Sequence, residues 1–400
     1  MPEDDAIVPF FQPIIAVDAG KIAGYEVLGR VQTPGGVYSL GPFFHDPAVP
    51  ERAKVKADRL IRQKALEQVA AAGIGAKVFL NIQPQWVYPF LGRAERLPTV
   101  DYLQTYGISG DRIVIEISEA GASVAPKDLA ELAGRYREAG CKVALDDFGL
   151  EFNNLERIFV LKPDFLKIST ALPGDTSNKA LFCSLLKVLG LFAHETGLNL
   201  VLEGVETEEQ FLAGLDAGVR YFQGYFLAPP QPELLPEDSL ADLIARELDR
   251  YVSGKVKRWT GELEIAAQMN ALLNDVSGAA DRLDECLSQL LRAAPPSWIR
   301  VYVCDSYGYQ KTPNYVKNGT GNWLPQYGYV GRNWCWRPYF FPYVVEAARK
   351  RQGVLSAAYL DLESCRPVRT FVYPLGADRF LFIDLEADSE GFAGAEERVP

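Results

Sequence analysis

Six polar side chains punctuate the first half of the chain, each at or near the end of a short apolar run. They are Asn81 in KVFLNI (77–82), Glu116 in RIVIEI (112–117), Asp146 in KVALDD (142–147), Lys167 in DFLKI (164–168), Glu203 in LNLVLE (198–203) and Gln223 in AGVRYFQ (217–223). With Glu26 and Asp147, the oxygen donors Asn81, Glu116, Asp146 and Glu203 form an all-oxygen set, and such hard ligands suit Mg²⁺ or Mn²⁺ rather than Zn²⁺. Imidazole is nearly absent: the chain holds only His45 and His194. Both histidines are isolated, His194 within a helical pattern, and read as packing or surface residues. Carboxylates gathered on one rim repel one another, and two divalent ions would offset that charge. Two ions also suit phosphodiester hydrolysis, one activating water while both stabilise the attacking and leaving oxygens. Lys167 would orient that water or offset charge on the phosphoryl oxygens. One acidic residue at a strand end is ordinarily just solvated; a succession of polar strand ends is not.

The elements that must position these groups alternate. Between the apolar runs lie segments with helical periodicity, at 51–73, 126–140, 178–197 and 206–218, each closing on a glycine. Strand followed by helix, repeated, predicts a parallel sheet with crossovers. A doubly wound open sheet would concentrate its ligands near one switch point, whereas six successive strands contributing to one site favour a closed (β/α)8 barrel of TIM type. Its start is irregular: IVPFFQPIIAVDAGKIAGYEVLGRV reads as two strands joined at Asp18-Ala19-Gly20, a hairpin that adds Glu26 and Arg30 to the same rim.

The 400 residues predict more than one domain, and 48% hydrophobic against 23% charged residues permits a sizeable core. A net charge of −11 and a pI near 5.0 argue against binding DNA or RNA polymers or an anionic membrane. Six cysteines without any C-x-x-C pair read as reduced thiols of a cytoplasmic protein. The acidic N-terminus is unlike a secretory signal, and the longest apolar stretch, 181–202, is broken by Lys187, His194 and Glu195, so no membrane span is expected.

The series YEVLGR (25–30), QPI (12–14), FLNI (79–82), IEISE (115–119), LDDFG (145–149), DFLKI, LEGVET (202–207) and QGYFLAPP (223–230) resembles the signature motifs of EAL-domain phosphodiesterases, in family order over roughly residues 7–232. The resemblance implies a cytoplasmic enzyme that opens cyclic di-GMP to linear pGpG with two Mg²⁺ or Mn²⁺ ions, and a homodimer. It implies that Glu26, Asn81, Glu116 and Asp146 hold one metal, and that Asp146, Asp147 and Glu203 hold the other. Lys167 would position the hydrolytic water, and Glu203 would also serve as general base. Arg30 and Leu28 would contact the dinucleotide, with Gln12 and Gln223 nearby. Glu206 and Glu119 would be supporting carboxylates, Glu119 anchoring the loop after Gly149. That loop departs from the family: D-D-F-G-T-G-Y-S-S-L becomes D-D-F-G-L-E-F-N-N-L, with Leu150 in place of a hydroxyl and Glu151 in place of a glycine. Because the family's loop couples metal binding to turnover, the change bears on rate more than on binding. The alternative to an active hydrolase is therefore a catalytically weak or inactive cyclic di-GMP receptor using the same site.

Four prolines within 229–236 end the barrel pattern. The expected organisation is a barrel at 1–236, connector helices at 237–293 and a small α+β domain at 294–400, with strands in WIRVYVCD, VLSAAYLDLES, RTFVYPLG and RFLFIDLE. The segments 331–349 and 356–375 resemble the Cache- or PAS-like C-terminal domain of YkuI-like EAL proteins, implying a regulatory module. Within it Trp334, Trp336, Arg337 and Tyr339 offer an arginine beside aromatic walls, which suits an unidentified small ligand as well as it suits ordinary core packing.

Overall fold

A computed structural model of the chain describes residues 3–87, 96–118, 125–148, 154–171, 179–274, 283–364, 366–376 and 378–387. The chain divides into two compact units, Met1–Tyr251 and Val252–Pro400.

The first unit begins with β1 (Ile7–Ala16) and β2 (Lys21–Thr33), an antiparallel hairpin turning at Gly20 as expected; β3 (Gly36–Ser39) folds back on β2. Then follow α1 (Gly41–His45), α2 (Glu51–Ala72), β4 (Lys77–Ile82), α3 (Pro84–Val87), α4 (Pro98–Tyr106), β5 (Ile113–Ser118), α5 (Pro126–Glu138) and β6 (Lys142–Phe148). The unit continues through α6 (Asn154–Leu161), β7 (Phe165–Ser169), α7 (Lys179–Thr196), β8 (Asn199–Glu203), α8 (Glu208–Asp216) and β9 (Tyr221–Phe222). Strands β2, β4, β5, β6, β7, β8 and β9 pair in parallel in that order. Strand β1 runs antiparallel between β2 and β9 and closes the ring, so the irregular first strand is the closing one.

The pleat layers the barrel interior. Ile14, Phe79, Val114, Ala144, Phe165 and Val201 form a buried apolar plug, with the Phe79 and Phe165 rings edge to face at 5.3 Å. Two residues further along five of these strands come Asn81, Glu116, Asp146, Lys167 and Glu203, because side chains at i and i+2 share a face. Gln12 stands two residues before Ile14 on the reversed β1, directly across from Glu26. The polar rim is thus the next layer above an oily floor. Only Tyr221–Phe222 of the run 217–223 is strand; Ala217 to Val219 form the turn that closes α8, held by bonds from their backbone N–H groups to Ala213, Gly214 and Leu215.

In the second unit α9 (Ala241–Leu273), which begins in the first, and α10 (Leu283–Ala293) precede an antiparallel sheet. Its strands are β10 (Trp298–Asp305), β11 (Asn314–Lys317), β12 (Trp323–Gln326), β13 (Val354–Leu355), β14 (Tyr359–Leu360), β15 (Pro367–Pro374) and β16 (Arg379–Glu386), in the order β12-β11-β10-β16-β15-β13 with β14 also on β15. Helix α11 (Phe340–Lys350) lies between β12 and β13 in sequence. Alternation splits the core. Val301, Val303, Phe371, Leu381 and Ile383 face Met269, Leu273, Leu287 and Leu290 of α9 and α10, while Tyr302, Cys304, Val372, Phe380 and Phe382 face Phe340, Val344 and Ala347 of α11. The run 354–364 holds two two-residue strands rather than one, and β3, β11 and β12, with exposed or half-buried faces, had no apolar run to announce them.

Among the described residues, Cys141, Cys183, Cys286, Cys304 and Cys335 are free thiols, and Cys365 lies outside them. No helix among them is long and apolar enough to cross a membrane. Phe165→Ala would open a cavity in the plug under the polar rim, and urea unfolding of the variant should show a loss of about 3–5 kcal/mol.

Candidate functional site

Lys167, on β7, is the centre of the rim. Its ammonium lies 3.0 Å from Glu26 Oε2, 2.8 Å from Glu116 Oε1, 3.0 Å from Asp146 Oδ1 and 3.2 Å from Glu203 Oε2, and its side chain is 1% exposed. Five strands therefore deliver one cation and four carboxylates to one point. Gln223 Nε2 donates to Glu26 Oε2 at 2.7 Å and to Gln12 Oε1 at 3.0 Å, and Asn81 Nδ2 donates to Glu26 Oε1 at 2.9 Å. Glu26 is the best satisfied carboxylate; burial pushes its pKa up, but Lys167, Gln223 and Asn81 together hold it below the ordinary value.

The other carboxylates are not so matched. Burial, then repulsion from Glu26, pushes the Glu116 carboxyl well above its ordinary range, and burial raises Asp146 as well. Glu203 is pushed up to about 8 by burial, although Lys167 opposes this, and Asp147 to about 6 by burial and its neighbour Asp146. Burial works against the Lys167 ammonium too, yet Asp146, Glu116, Glu203 and Glu26 hold its proton well above the ordinary value. Both Glu116 oxygens, Asp146 Oδ1 and Glu203 Oε1 are buried without a hydrogen-bond donor; toward Lys167, Glu116 Oε1 and Asp146 Oδ1 make ion pairs only.

The adjacency of Asp146 and Asp147 has a backbone explanation. A regular pleat would send them to opposite faces, but the β6–β7 register shifts between Leu145 and Phe148, and Asp147 has φ 56°. An irregularity of this kind re-aims side chains, and aspartate is among the few residues that tolerate the left-handed region. Both side chains line the same cleft, of about 350 Å³.

Arg30 and Leu28 of β2 line that cleft, the Arg30 guanidinium lying over the Phe10 ring at 5.7 Å. Gln12 is buried and reaches the cluster through Gln223. Glu206 is exposed just ahead of α8, where its backbone N–H donates to Gln210 Oε1, and its carboxylate is not among those that meet Lys167. Glu119, Leu150 and Glu151 lie outside the described residues. Sequence reasoning missed His45 and Trp86, which line the cleft from α1 and α3. These are short helices with no periodicity to announce them; His45, read as a packing or surface residue, is exposed and faces the site.

Among the described residues, no three His, Cys, Asp or Glu side chains are set to hold a metal ion as they stand, and the Lys167 ammonium occupies the point on which four carboxylates converge. The chemistry of the set nonetheless fits a divalent cation: the donors are all oxygen, and several are buried with no hydrogen bond to satisfy them.

Residues 1–230 match the EAL domain model, and residues 234–389 match that of the EAL-domain associated signalling protein domain. The chain belongs to the EAL-domain family. It is 31% identical over 386 residues to the uncharacterized EAL-domain containing protein YkuI of Bacillus subtilis, covering 95% of this chain and 94% of that one. The crystal structure of YkuI in complex with c-di-GMP and calcium superposes with a TM-score of 0.85 at 30% identity, over 96% of this chain and 98% of that chain. The cyclic di-GMP phosphodiesterase RocR of Pseudomonas aeruginosa is 28% identical over 228 residues, 56% of this chain and 57% of RocR. The match to YkuI runs through both units, so the EAL barrel and its C-terminal partner are shared as a pair.

Removing the one cation of the rim should be costly. At pH 8, Lys167→Met should lower the free energy of urea unfolding by about 3–5 kcal/mol, since it strands buried charge. The deficit should narrow toward pH 5. Carboxyls with raised pKa bind more protons folded than unfolded between their unfolded and folded values, so stability falls as pH rises through that window.

Proposed function

We propose that this EAL protein hydrolyses cyclic di-GMP to linear pGpG at the barrel rim. The observation that carries the reading is the buried constellation of Glu26, Glu116, Asp146 and Glu203 around Lys167, opening onto a cleft with Arg30 in its wall. Its support from relatives is the whole-length likeness to YkuI, solved with c-di-GMP and calcium, and the barrel's likeness to RocR.

In this reading Glu26, Asn81, Glu116 and Asp146 hold one Mg²⁺ or Mn²⁺, and Asp146, Asp147 and Glu203 hold a second. Such ions, when bound, lower the pKa of a water and stabilise charge on the phosphoryl oxygens. The chain's own groups do the rest. Lys167, kept charged by its neighbours, orients the attacking water, and Glu203, whose Oε1 has no donor, takes that water's proton. The Arg30 guanidinium presents a fork to phosphate. Leu28 gives the base an apolar edge, and Gln12 and Gln223 fix Glu26 from the side opposite Asn81.

The remaining features fit a cytoplasmic signalling enzyme with a barrel at 1–236, connector helices at 237–293 and a Cache/PAS-like regulatory module at 294–400. It acts as a homodimer. For the dimer, α7 offers Leu181, Leu185, Val188 and Leu191, which recur at helical spacing and are all exposed. Val188→Lys should shift the mass measured by light scattering from dimer to monomer; a wild type that is monomeric would overturn the dimer reading.

With Mg²⁺ or Mn²⁺ the purified protein should convert cyclic di-GMP to pGpG, and chelation should stop it. Glu26→Ala and Asp146→Ala should each lower the rate by more than about a hundredfold, beyond what loss of an outer contact costs. Survival of metal-dependent pGpG production in either variant would show the site to be wrong. Binding without hydrolysis under every metal would establish the receptor alternative, for which the altered residues Leu150 and Glu151 are the sequence argument.

A further inference from the structure

The second unit has a pocket of about 250 Å³ lined from β10, β11 and the segments 329–339 and 361–363, slightly smaller than the roughly 300–1,000 Å³ that drug-sized ligands fill. Its floor is an ion-pair network. Arg300 meets Asp361 through two parallel bonds of 2.9 and 3.0 Å and Asp384 through one of 3.1 Å. Asp361 also accepts the Ser364 N–H and hydroxyl, and Asp384 accepts the Thr370 hydroxyl at 2.7 Å. These two buried carboxylates have little acceptor capacity left. Glu363, at the rim, takes the Tyr329 hydroxyl and lies 3.9 Å from Arg300.

The donors are in the opposite condition. Arg337 is held by aromatic faces, with its guanidinium 5.4 Å from the Trp336 ring, 5.3 Å from Tyr339 and 5.4 Å from Tyr359; Arg332 lies 4.3 Å over Tyr329. Among the described residues neither guanidinium has a carboxylate within ion-pair distance, and their in-plane N–H forks are unspent. Asn314, 3% exposed, accepts at its Oδ1 from Gln310 Nε2, while the buried Arg300 Nε has no hydrogen-bond partner. Ring faces that would recognise an organic cation are already covered by arginine.

We propose that this pocket binds a small aromatic carboxylate, its charge taken by the forks of Arg337 and Arg332 and its ring by the walls of Trp334 and Tyr302. The stacking matters because it holds each guanidinium in one plane before the ligand arrives, so that a carboxylate meets an ordered bidentate donor. The volume admits one or two fused rings and excludes a dinucleotide. The inference is independent of the chemistry at the barrel.

The full chain, titrated with benzoate and with indole-3-acetate, should give saturable quenching of tryptophan fluorescence at millimolar concentration or below. The neutral isosteres benzamide and indole-3-acetamide should bind at least about tenfold more weakly. Arg337→Gln should weaken carboxylate binding at least about tenfold with the amides unchanged, and Arg337→Lys should not restore it, since ammonium lacks the planar fork. Arg332→Gln, at an exposed position whose loss leaves the fold intact, should weaken carboxylates several-fold and carries the test if the Arg337 variants do not fold. No saturable binding, equal affinity for acids and amides, tighter binding of choline, or full affinity in both glutamine variants would overturn the proposal.

Discussion

One ammonium among four carboxylates sets the terms for the barrel. Removing a charge from water costs several kcal/mol even after relaxation, and Lys167 brings four opposite charges with it. Such a cluster is tolerable only if its members are held at contact and their remaining lone pairs are satisfied. The rim meets the first condition and not the second: the orphaned oxygens of Glu116, Asp146 and Glu203 are electrostatic demand left unmet by the chain itself. That deficit is what suits the site to external positive charge.

The fold serves this cluster through a simple period. Strands β4 to β8 each offer an apolar residue to the plug and, two residues later, a polar one to the rim, so the same pleat that excludes water below aligns the polar groups above. Closure by the reversed β1 completes the layer, since Gln12 arrives from the opposite direction and stands opposite Glu26. Gly24 shows how tight the arrangement is, because a Cβ there would come within 2.7 Å of the Phe79 ring in the plug. Charge placement and core packing are therefore one constraint, and a change in either reaches the other through two residues of backbone.

This explains which features could be read from sequence. Glu116, Asp146, Lys167 and Glu203 were legible because they interrupt apolar runs at a fixed offset, and interruption of a buried strand is costly enough to carry meaning. The hairpin was legible from Gly20, and α2, α5, α7 and α8 from their periodicity and terminal glycines. His45 and Trp86 were not, since their places in the cleft depend on short helices with no repeating pattern. Nor did sequence show how Asp147 could share a face with Asp146, which depends on a register shift and a left-handed φ that composition alone does not encode. Strands β11 and β12, at one side of the second sheet, escaped for a related reason: with little buried surface, they lack alternation.

The two units also hold a pair of ionic networks whose difference is instructive. Around Lys167, acceptors outnumber donors, and buried oxygens are left over. Around Arg300, the acceptors of Asp361 and Asp384 are consumed, and the leftover groups are the Arg300 Nε and the forks of Arg332 and Arg337. Formal charge does not distinguish them well, since arginines and carboxylates are balanced around the second pocket. Hydrogen-bond capacity does. A buried site attracts whatever completes its unspent valences, so the same chain presents an acceptor-rich rim suited to cations and a donor-rich, aromatic-walled pocket suited to an acceptor.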